Sequence, residues 1–419
     1  MSETKKIAIA GLGKRGRGLL QHVILPLCEE YNLEVAMVFD PYEDRCNKGY
    51  EIVQEATGNT PVMAASYQEI LDNPEIAAVI ITSSWESHVD LAVAAMKAGK
   101  YAAFEVGGAY VLEDCWKLVN TYEETGVPCM MLENCCYGKR ELMVMNMVRK
   151  GLLGDVVHCS GGYLHDLREE VAKGNENRHY RLRNYLNRNC ENYPTHELGP
   201  IAKLLDINNG NRMVSLTATS SCAKGLHEYI VREQGADSPL AQQNFAQGDI
   251  FTTVIKCANG QTITLTLDTT LPRPYSRGFT VRGTKGAFFE DTDMFFMDQE
   301  HHEYHFWAQK LWGNAKEYEA EHIHPLWKDY VPKGGHDGMD YQVFSAFFEA
   351  MVAGKKPPID PYDAAAYMSI TALSEESVLK GGAPVMIPDF TRGKWYYRQD
   401  IDTTLKYNLD REKPYEGLY

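Results

Sequence analysis

Gly11-Leu12-Gly13-Lys14-Arg15-Gly16 is the run that most constrains what this chain can fold into. It follows an apolar, strand-like stretch, Lys6–Ala10, and opens a helical pattern over Gly16–Tyr31, in which Pro26 marks an interruption or an end. GxGxxG in that setting fits a strand–turn–helix unit that cradles a dinucleotide. Gly11 permits the tight turn, Gly13 lets the backbone approach a pyrophosphate, and Gly16 lets the helix pack closely on the sheet. Free N–H groups at the helix start then face the phosphates, with Lys14 and Arg15 in the same turn. Asp40 ends the next strand-like stretch, Leu33–Phe39. A carboxylate there accepts hydrogen bonds from both ribose hydroxyls and repels a 2′-phosphate, so NAD is expected rather than NADP. Arg15 and Arg17 are the residues that would serve a 2′-phosphate in the other case.

The first third continues to alternate helix-like and strand-like stretches: Tyr67–Asn73, Ala77–Ile81, His88–Ala98, Tyr101–Phe104, Leu112–Thr125 and Cys129–Leu132. Short, continuous apolar strands between helices predict a parallel sheet covered on both faces. From about Tyr137 the pattern changes. A helix over Glu141–Lys150 is followed by longer, alternating strands: Val156–Tyr163, Val214–Ser221, Asp249–Cys257, Gln261–Thr269, Phe279–Gly283 and Gly286–Glu290. Ala258-Asn259-Gly260 reads as a hairpin turn between two of them. Helices over Asp340–Ala353 and Tyr362–Lys380 precede an irregular tail. The expectation is an α/β protein: an N-terminal Rossmann parallel sheet in 1–136, and an α/β domain with an open, mainly antiparallel sheet in 137–419. Residues 331–419 form the C-terminal helices and tail of that second domain.

A net charge of −15 makes nucleic acid and anionic membrane poor partners. No apolar run approaches the roughly 18–20 residues that span a bilayer. Met1–Lys6 is short and polar and carries no secretion-signal pattern. Ten scattered cysteines without a CxxC pair read as reduced thiols, so a cytoplasmic location is expected. His301, His302 and His305, and the pair His322 and His324, lack a recognised ligand spacing, so no metal is expected.

The segment Thr82–Gly108, TSSWESHVDLAVAAMKAGKYAAFEVGG, combines a strand end, a histidine near a helix start, an Ala-Gly-Lys turn and a strand ending in Glu. It resembles the Gfo/Idh/MocA superfamily of NAD(P)-dependent sugar enzymes, which pair a Rossmann domain with an α/β substrate domain. Dehydrogenases of that superfamily usually carry Glu-Lys-Pro at this strand end, and the lysine helps move the hydroxyl proton. Here the tripeptide is Glu105-Val106-Gly107, which weakens a simple dehydrogenase reading.

Asn192-Tyr193-Pro194-Thr195-His196-Glu197-Leu198-Gly199-Pro200, preceded by Tyr180-Arg181, looks like glycoside hydrolase family 109, the NAD-dependent α-N-acetylgalactosaminidase family. Trp85–His88, Glu105-Val106, Asn134–Tyr137 and Pro272–Ser276 resemble it too, and the likeness runs from the first strand to about Phe289. The missing secretion signal departs from many members. The resemblance implies NAD contacts from Arg15, Asp40, Trp85, His88, Glu105, Val106 and Asn134. It implies sugar contacts from Arg181, Tyr193, His196 and Tyr275. The implied route is redox-neutral: oxidation at C3 on bound NAD, loss of the C2 proton, elimination across C1–C2, addition of water and re-reduction. His196 is expected to handle the 3-hydroxyl proton and Tyr137 the C2 proton, with Tyr193 beside them. Tyr163 and His165 are alternates and candidate sugar contacts, and Arg181 offers positive charge to the enolate. The competing functions are an NAD-dependent sugar or polyol dehydrogenase with net redox, and a non-catalytic NAD or sugar sensor. A small carbohydrate is the expected partner, and by resemblance the chain is a homo-oligomer, dimer or tetramer.

Overall fold

The computed structural model describes residues 4–107, 109–300, 313–398 and 400–411, so His301, His302 and His305 lie outside the described residues. The chain forms two compact units. The first contains the residues up to Tyr137, Asp329–Ala365 and a stretch beginning at Arg398. The second contains Gly138–Lys328 and Ala366–Tyr397.

In the first unit six strands form one parallel sheet: β1 (Lys5–Ala10), β2 (Leu33–Phe39), β3 (Val62–Met63), β4 (Ile76–Ile81), β5 (Tyr101–Phe104) and β6 (Cys129–Met131). Their order is β3-β2-β1-β4-β5-β6, so the winding reverses between β1 and β4. Such a switch point opens a crevice at the strands' carboxyl ends. Ile7, Ala8, Ile9 and Ala10 on β1 and Ala78, Val79, Ile80 and Ile81 on β4 are wholly buried, as strands covered on both faces require. The helix after β1 runs as an α-turn segment, Lys14–Leu19, a π-turn, Leu20–Ile24, and a second α-segment, Leu25–Tyr31. Pro26 has no N–H and crowds the carbonyl one turn back, and the wider π-turn before it relieves that clash without ending the helix. The helix stops instead at Asn32, in the left-handed region with φ 52°.

The sequence analysis placed 331–419 in the second domain, whereas packing joins Asp329–Ala365 and the stretch from Arg398 to the first unit. The helix Met339–Ala353 is apolar nearly all round, and Val343, Phe344, Phe347 and Phe348 are buried. It lies along Leu25–Tyr31, with the Tyr31 and Phe348 rings 6.1 Å apart and Tyr341 Oη donating to Glu30 Oε2 at 2.7 Å. Ile359 O accepts from Met131 N at 3.2 Å, extending the edge of β6.

In the second unit nine strands among the described residues form one mixed sheet. They are β7 (Val156–Leu164), β8 (Met213–Ser220), β9 (Ile250–Cys257), β10 (Thr262–Asp268), β11 (Thr280–Gly283), β12 (Gly286–Phe289), β13 (Met294–Met297), β14 (Gly313–Asn314) and β15 (Val385–Met386). The order is β14-β13-β12-β11-β7-β10-β9-β8-β15. Only β7 and β10 pair in parallel, and the other ladders are antiparallel. The β9–β10 hairpin turns on Asn259-Gly260, with Gly260 at φ 94°. Phe251, Thr253, Ile255, Ile263, Leu265 and Leu267 point to a buried face. Thr252, Val254, Lys256, Thr264 and Thr266 point to a partly exposed one. The helix Thr195–Leu204, buried along its whole length, packs against β7. Glycines on β7 let it pack closely against this helix and its neighbouring strand. A side chain at Gly161 would meet Glu197 Cγ at 1.9 Å, and one at Gly162 would meet Thr266 O at 1.9 Å. Gly162 N also donates to Arg277 O at 2.8 Å.

Gly162→Ala is therefore expected to push β7 off β10, with a loss of about 1–3 kcal/mol in urea unfolding, the range for overpacked sites.

Candidate active site

The glycine loop is built as a dinucleotide turn. Gly11 has φ 107°, and a Cβ there would lie 2.4 Å from Ser83 N. A Cβ on Gly16 would lie 2.2 Å from Gly11 O. These two glycines are dictated by the protein itself. Gly13 is different: its nearest neighbour would be Arg45 Nη1 at 3.8 Å, so the protein leaves room there for a ligand to approach the backbone. The helix that begins at Lys14 has no side-chain cap and no acid in its first turn. Its N–H groups and positive dipole end suit a pyrophosphate. The residues present thus fit a dinucleotide.

Asp40 lies beside this loop and is largely buried. Its Oδ2 accepts from Leu12 N at 2.6 Å and its Oδ1 from Tyr42 N at 2.9 Å. Each carboxylate oxygen keeps a further lone pair for a ribose hydroxyl. Arg17 Nη1 donates to Leu12 O at 2.6 Å. Arg15 grips Asp340 through Nη1 (2.7 Å) and Nη2 (2.9 Å) and reaches Glu105 Oε1 at 3.1 Å. Neither guanidinium is therefore poised for a 2′-phosphate. Lys14 is exposed.

The loops after β4 and β5 are locked together. His88 is buried, with Nε2 3.0 Å from Ser83 O and Nδ1 3.2 Å from Gly107 O. Burial holds its pKa below the ordinary imidazole value, so the neutral ring donates its one N–H to one of these carbonyls and packs against the other. In this geometry His88 braces the two loops. Gly107, at φ 78°, lies against Trp85, whose Nε1 a Cβ would meet at 2.8 Å. Val106 and Trp85 are buried, and Asn134 opens a 3-10 turn after β6.

Tyr137 corrects the sequence expectation. It is fully buried, and its hydroxyl donates to Tyr407 O at 2.9 Å. Burial drives the phenol's pKa well above its usual value. A phenol held protonated and bonded to a backbone carbonyl is an anchor for the tail, not a C2 base.

The second unit brings the expected sugar-site residues into one cluster. The Tyr163 and Tyr193 rings lie 4.3 Å apart. His196 stands edge-on to both, at 5.4 Å from Tyr163 and 4.7 Å from Tyr193. Tyr193 Oη and His196 Nε2 are 3.4 Å apart, at the outer limit of a hydrogen bond. Tyr163 Oη is 2.9 Å from His165 Nδ1, and the His165 ring is 5.0 Å from that of Tyr275, which is half exposed. The Arg181 guanidinium lies 5.0 Å from the Tyr193 ring and 5.8 Å from that of Tyr163, and Nε bonds Glu170 Oε1 at 2.8 Å. Burial and Arg181 lower the pKa of His165, which keeps it a neutral acceptor. Arg181 stays cationic despite its burial, through Tyr163, Tyr180, Glu170 and Tyr193.

Sequence reasoning missed what stands behind this cluster. Arg277 meets Glu141 through Nη2, Glu197 Oε2 at 3.4 Å and Glu290 Oε1 at 3.6 Å. Glu197 adjoins His196 in sequence, and Arg277 follows Tyr275 by two residues, so one ion cluster fixes the backbone beneath both. Burial raises the pKa of Glu290 against the pull of Arg277, and Glu141 adds to the rise. His324 Nδ1 accepts from Leu326 N at 3.2 Å, and burial followed by Arg149 lowers its pKa to about 4, so it serves a turn.

The first unit is an NAD-binding Rossmann domain of the oxidoreductase class: residues 5–133 match the oxidoreductase family with an NAD-binding Rossmann fold. A levoglucosan dehydrogenase solved in complex with NADH shares the fold, with a TM-score of 0.69 and 17% identity over 92% of this chain and 100% of that one. Residues 137–397 match the C-terminal domain of glycosyl hydrolase 109. A glycosyl hydrolase family 109 protein of Parabacteroides distasonis is 42% identical over 358 residues, 80% of this chain and 75% of that one. An alpha-N-acetylgalactosaminidase of Tannerella forsythia is 42% identical over 357 residues, again 80% and 75%. The chain belongs to glycosyl hydrolase family 109. It is a glycoside hydrolase built on an NAD-dependent oxidoreductase fold.

Glu191, directly before the Asn192-Tyr193 segment, supplies a pH test. It is fully buried, and burial raises its pKa from 4.5 to about 8 against a bond from the Tyr193 backbone. The folded state therefore binds more protons than the unfolded chain between those values, and stability falls as the pH rises through that window. Glu191→Gln is expected to flatten this slope and to be more stable than wild type at pH 7, by up to about 3 kcal/mol, with little difference at pH 4.5. Thermal or urea unfolding across pH 4.5–8 checks this.

Proposed function

We propose that the protein hydrolyses α-N-acetylgalactosaminides or closely related glycosides without net redox. The observation that carries this reading is the second-unit cluster. Tyr163, His165, Tyr193, His196 and Tyr275 assemble acid–base groups around the Arg181 cation. Meanwhile the position that holds lysine in related dehydrogenases is the buried Val106. The name of the Tannerella forsythia relative supports the substrate class.

NAD, when bound, supplies the oxidant for the sugar's C3 alcohol and the reductant of the C3 ketone that follows. The contacts of the chain to it come from the glycine loop (Gly11, Gly13, Gly16), Arg15, Asp40, Trp85, Glu105, Val106 and Asn134. His196 takes the proton of the 3-hydroxyl. The C3 ketone acidifies the C2 proton, and Tyr163, with His165 accepting from its hydroxyl, takes the place that Tyr137 does not fill. The electron pair of the C2–H bond forms the enolate, which Arg181 stabilises by charge. The pair then forms the C1–C2 double bond as the C1–O bond breaks, and the leaving alkoxide takes the proton that the Tyr163–His165 pair removed from C2. Water adds its hydroxyl to C1 and its proton to C2. A neutral His165 beside Arg181 keeps a proton acceptor at neutral pH.

Two readings compete with this one, a net dehydrogenase and a sugar sensor. With an aryl α-N-acetylgalactosaminide and excess NAD⁺, the expected result is release of the aryl alcohol with constant absorbance at 340 nm and solvent deuterium at C2 of the sugar. NADH accumulating in step with turnover, or product free of deuterium, would overturn it. His196→Ala is expected to lower kcat by about 10²–10⁴-fold with NAD affinity unchanged.

Two finer points rest on the same reading. The ten cysteines form no disulfide and nine are buried, which supports a reducing, cytoplasmic setting. The threonine-rich face of the nine-stranded sheet is only partly covered, which supports a dimer or tetramer closing over it. Sedimentation equilibrium showing a monomer at micromolar concentration would exclude the second. No helix among the described residues is long and apolar enough to cross a membrane.

A further inference from the structure

We propose that Asp340 is a positioning residue of the NAD site, and that the segment Gly334–Asp340 is a strap that holds the cofactor through turnover. This rests on the reading of the first unit as the NAD site. Asp340 is fully buried and gathers four donors' worth of contact onto one carboxylate. Arg15 Nη1 bonds Oδ2 at 2.7 Å and Arg15 Nη2 bonds Oδ1 at 2.9 Å. Asn134 Nδ2 bonds Oδ1 at 2.8 Å, and His336 Nδ1 lies 2.9 Å from Oδ2. Arg15 carries the connection on to Glu105 at 3.1 Å. Three residues expected to touch NAD, one each from the glycine loop, the end of β5 and the turn after β6, are thus oriented directly or through one bridge by a single side chain more than 200 positions along the chain from each.

The strap is shaped for this task. A Cβ on Gly335 would lie 2.3 Å from Asp340 Oδ2, so glycine alone leaves room for the carboxylate. His336, Asp337 and Gly338 follow one another in the left-handed region, at φ 49°, 52° and 94°. Two consecutive non-glycine residues there are strained, and strain of this kind persists where the surroundings over-determine it, characteristically at ligand clamps and functional sites. Tyr330 pins the turn from outside, its Oη donating to Gly338 O at 2.9 Å. Gly334 packs on Val23 of the helix that opens at the glycine loop. Burial by itself would raise the pKa of Asp340. The Arg15 and His336 contacts outweigh it and hold the carboxyl well below the usual range, so the charge is permanent. Because Nδ2 of Asn134 is committed to Asp340, the amide presents its oxygen elsewhere, and Arg15 is kept from swinging toward solvent.

A redox-neutral hydrolase gains from such a device, since cofactor lost after the oxidation step leaves the sugar stranded as a ketone. The test uses the full-length protein and NADH fluorescence titration, with dissociation followed after dilution. Asp340→Asn is expected to weaken NADH binding at least 10-fold and to speed its release, while the melting temperature of the NAD-free protein changes far less. Gly335→Ala, which displaces the carboxylate but keeps its charge, is expected to act in the same direction. His336→Ala, at a half-exposed side chain, should weaken binding a few-fold and decides the matter if neither of the others folds. Wild-type affinity in the variants that fold, or a loss matched by equal destabilisation of the NAD-free protein, overturns the proposal. A wild-type protein that binds no NADH would instead overturn the cofactor reading itself.

Discussion

Everything in the first unit depends on how closely β1 and β4 can bring their carboxyl ends together. Gly11 sits against the Thr82–Ser83 backbone, and Gly16 sits against Gly11 O, at distances no side chain tolerates. Thr82 N donates to Ala10 O, and Thr82 Oγ1 donates to Gly11 O, so the turn is tied to the neighbouring strand as well as fitted to it. That approach places the helix start over the switch point of the sheet. Backbone N–H groups, Asp40 and the loops after β4 and β5 then surround one crevice. Gly13, open to space, leaves room for the ligand's close approach.

The second unit solves a different problem. It must hold polar aromatic and imidazole groups at fixed angles while keeping one cation buried beside them. The aromatic pile supplies the fixed angles, through tilted and edge-on contacts between Tyr163, Tyr193, His165, His196 and Tyr275. Arg277, with Glu141, Glu197 and Glu290, anchors the backbone behind it. Buried ion clusters of this kind are weak sources of net stability, because desolvation offsets attraction. Here the cluster serves geometry: it ties the helix that carries His196 to the loop that carries Tyr275.

These two arrangements explain why an oxidoreductase fold serves a hydrolase. A dehydrogenase needs its proton acceptor at the strand end beside the cofactor and needs the cofactor to leave. Here Val106 removes the ammonium from that place, acid–base groups gather in the other unit, and Asp340 braces the residues around the dinucleotide. On the proposed route the chemistry is a closed cycle in which the oxidant is regenerated on the same sugar.

By itself, the sequence determined the parts whose signal is local. The GxGxxG loop, the buried β-branched strands, the hairpin at Asn259-Gly260 and the sugar-site motif all carry their physics within a few residues, so fold class, cofactor and the residues that cluster in the second unit were legible. Weaker local signals were missed. The helix Glu43–Thr57 buries only Cys46, Gly49 and Val53, too thin a stripe to separate from a polar loop. Strands β13 and β14 are too short to show an alternation. Long-range packing decided the rest. Nothing near Asp340 in the chain reveals that it meets Arg15, and nothing in Asn134–Tyr137 reveals that Tyr137 is bonded to Tyr407 O. Those contacts join residues hundreds of positions apart, where the energy lies in burying a charge with its partners, and only the folded chain brings the partners together.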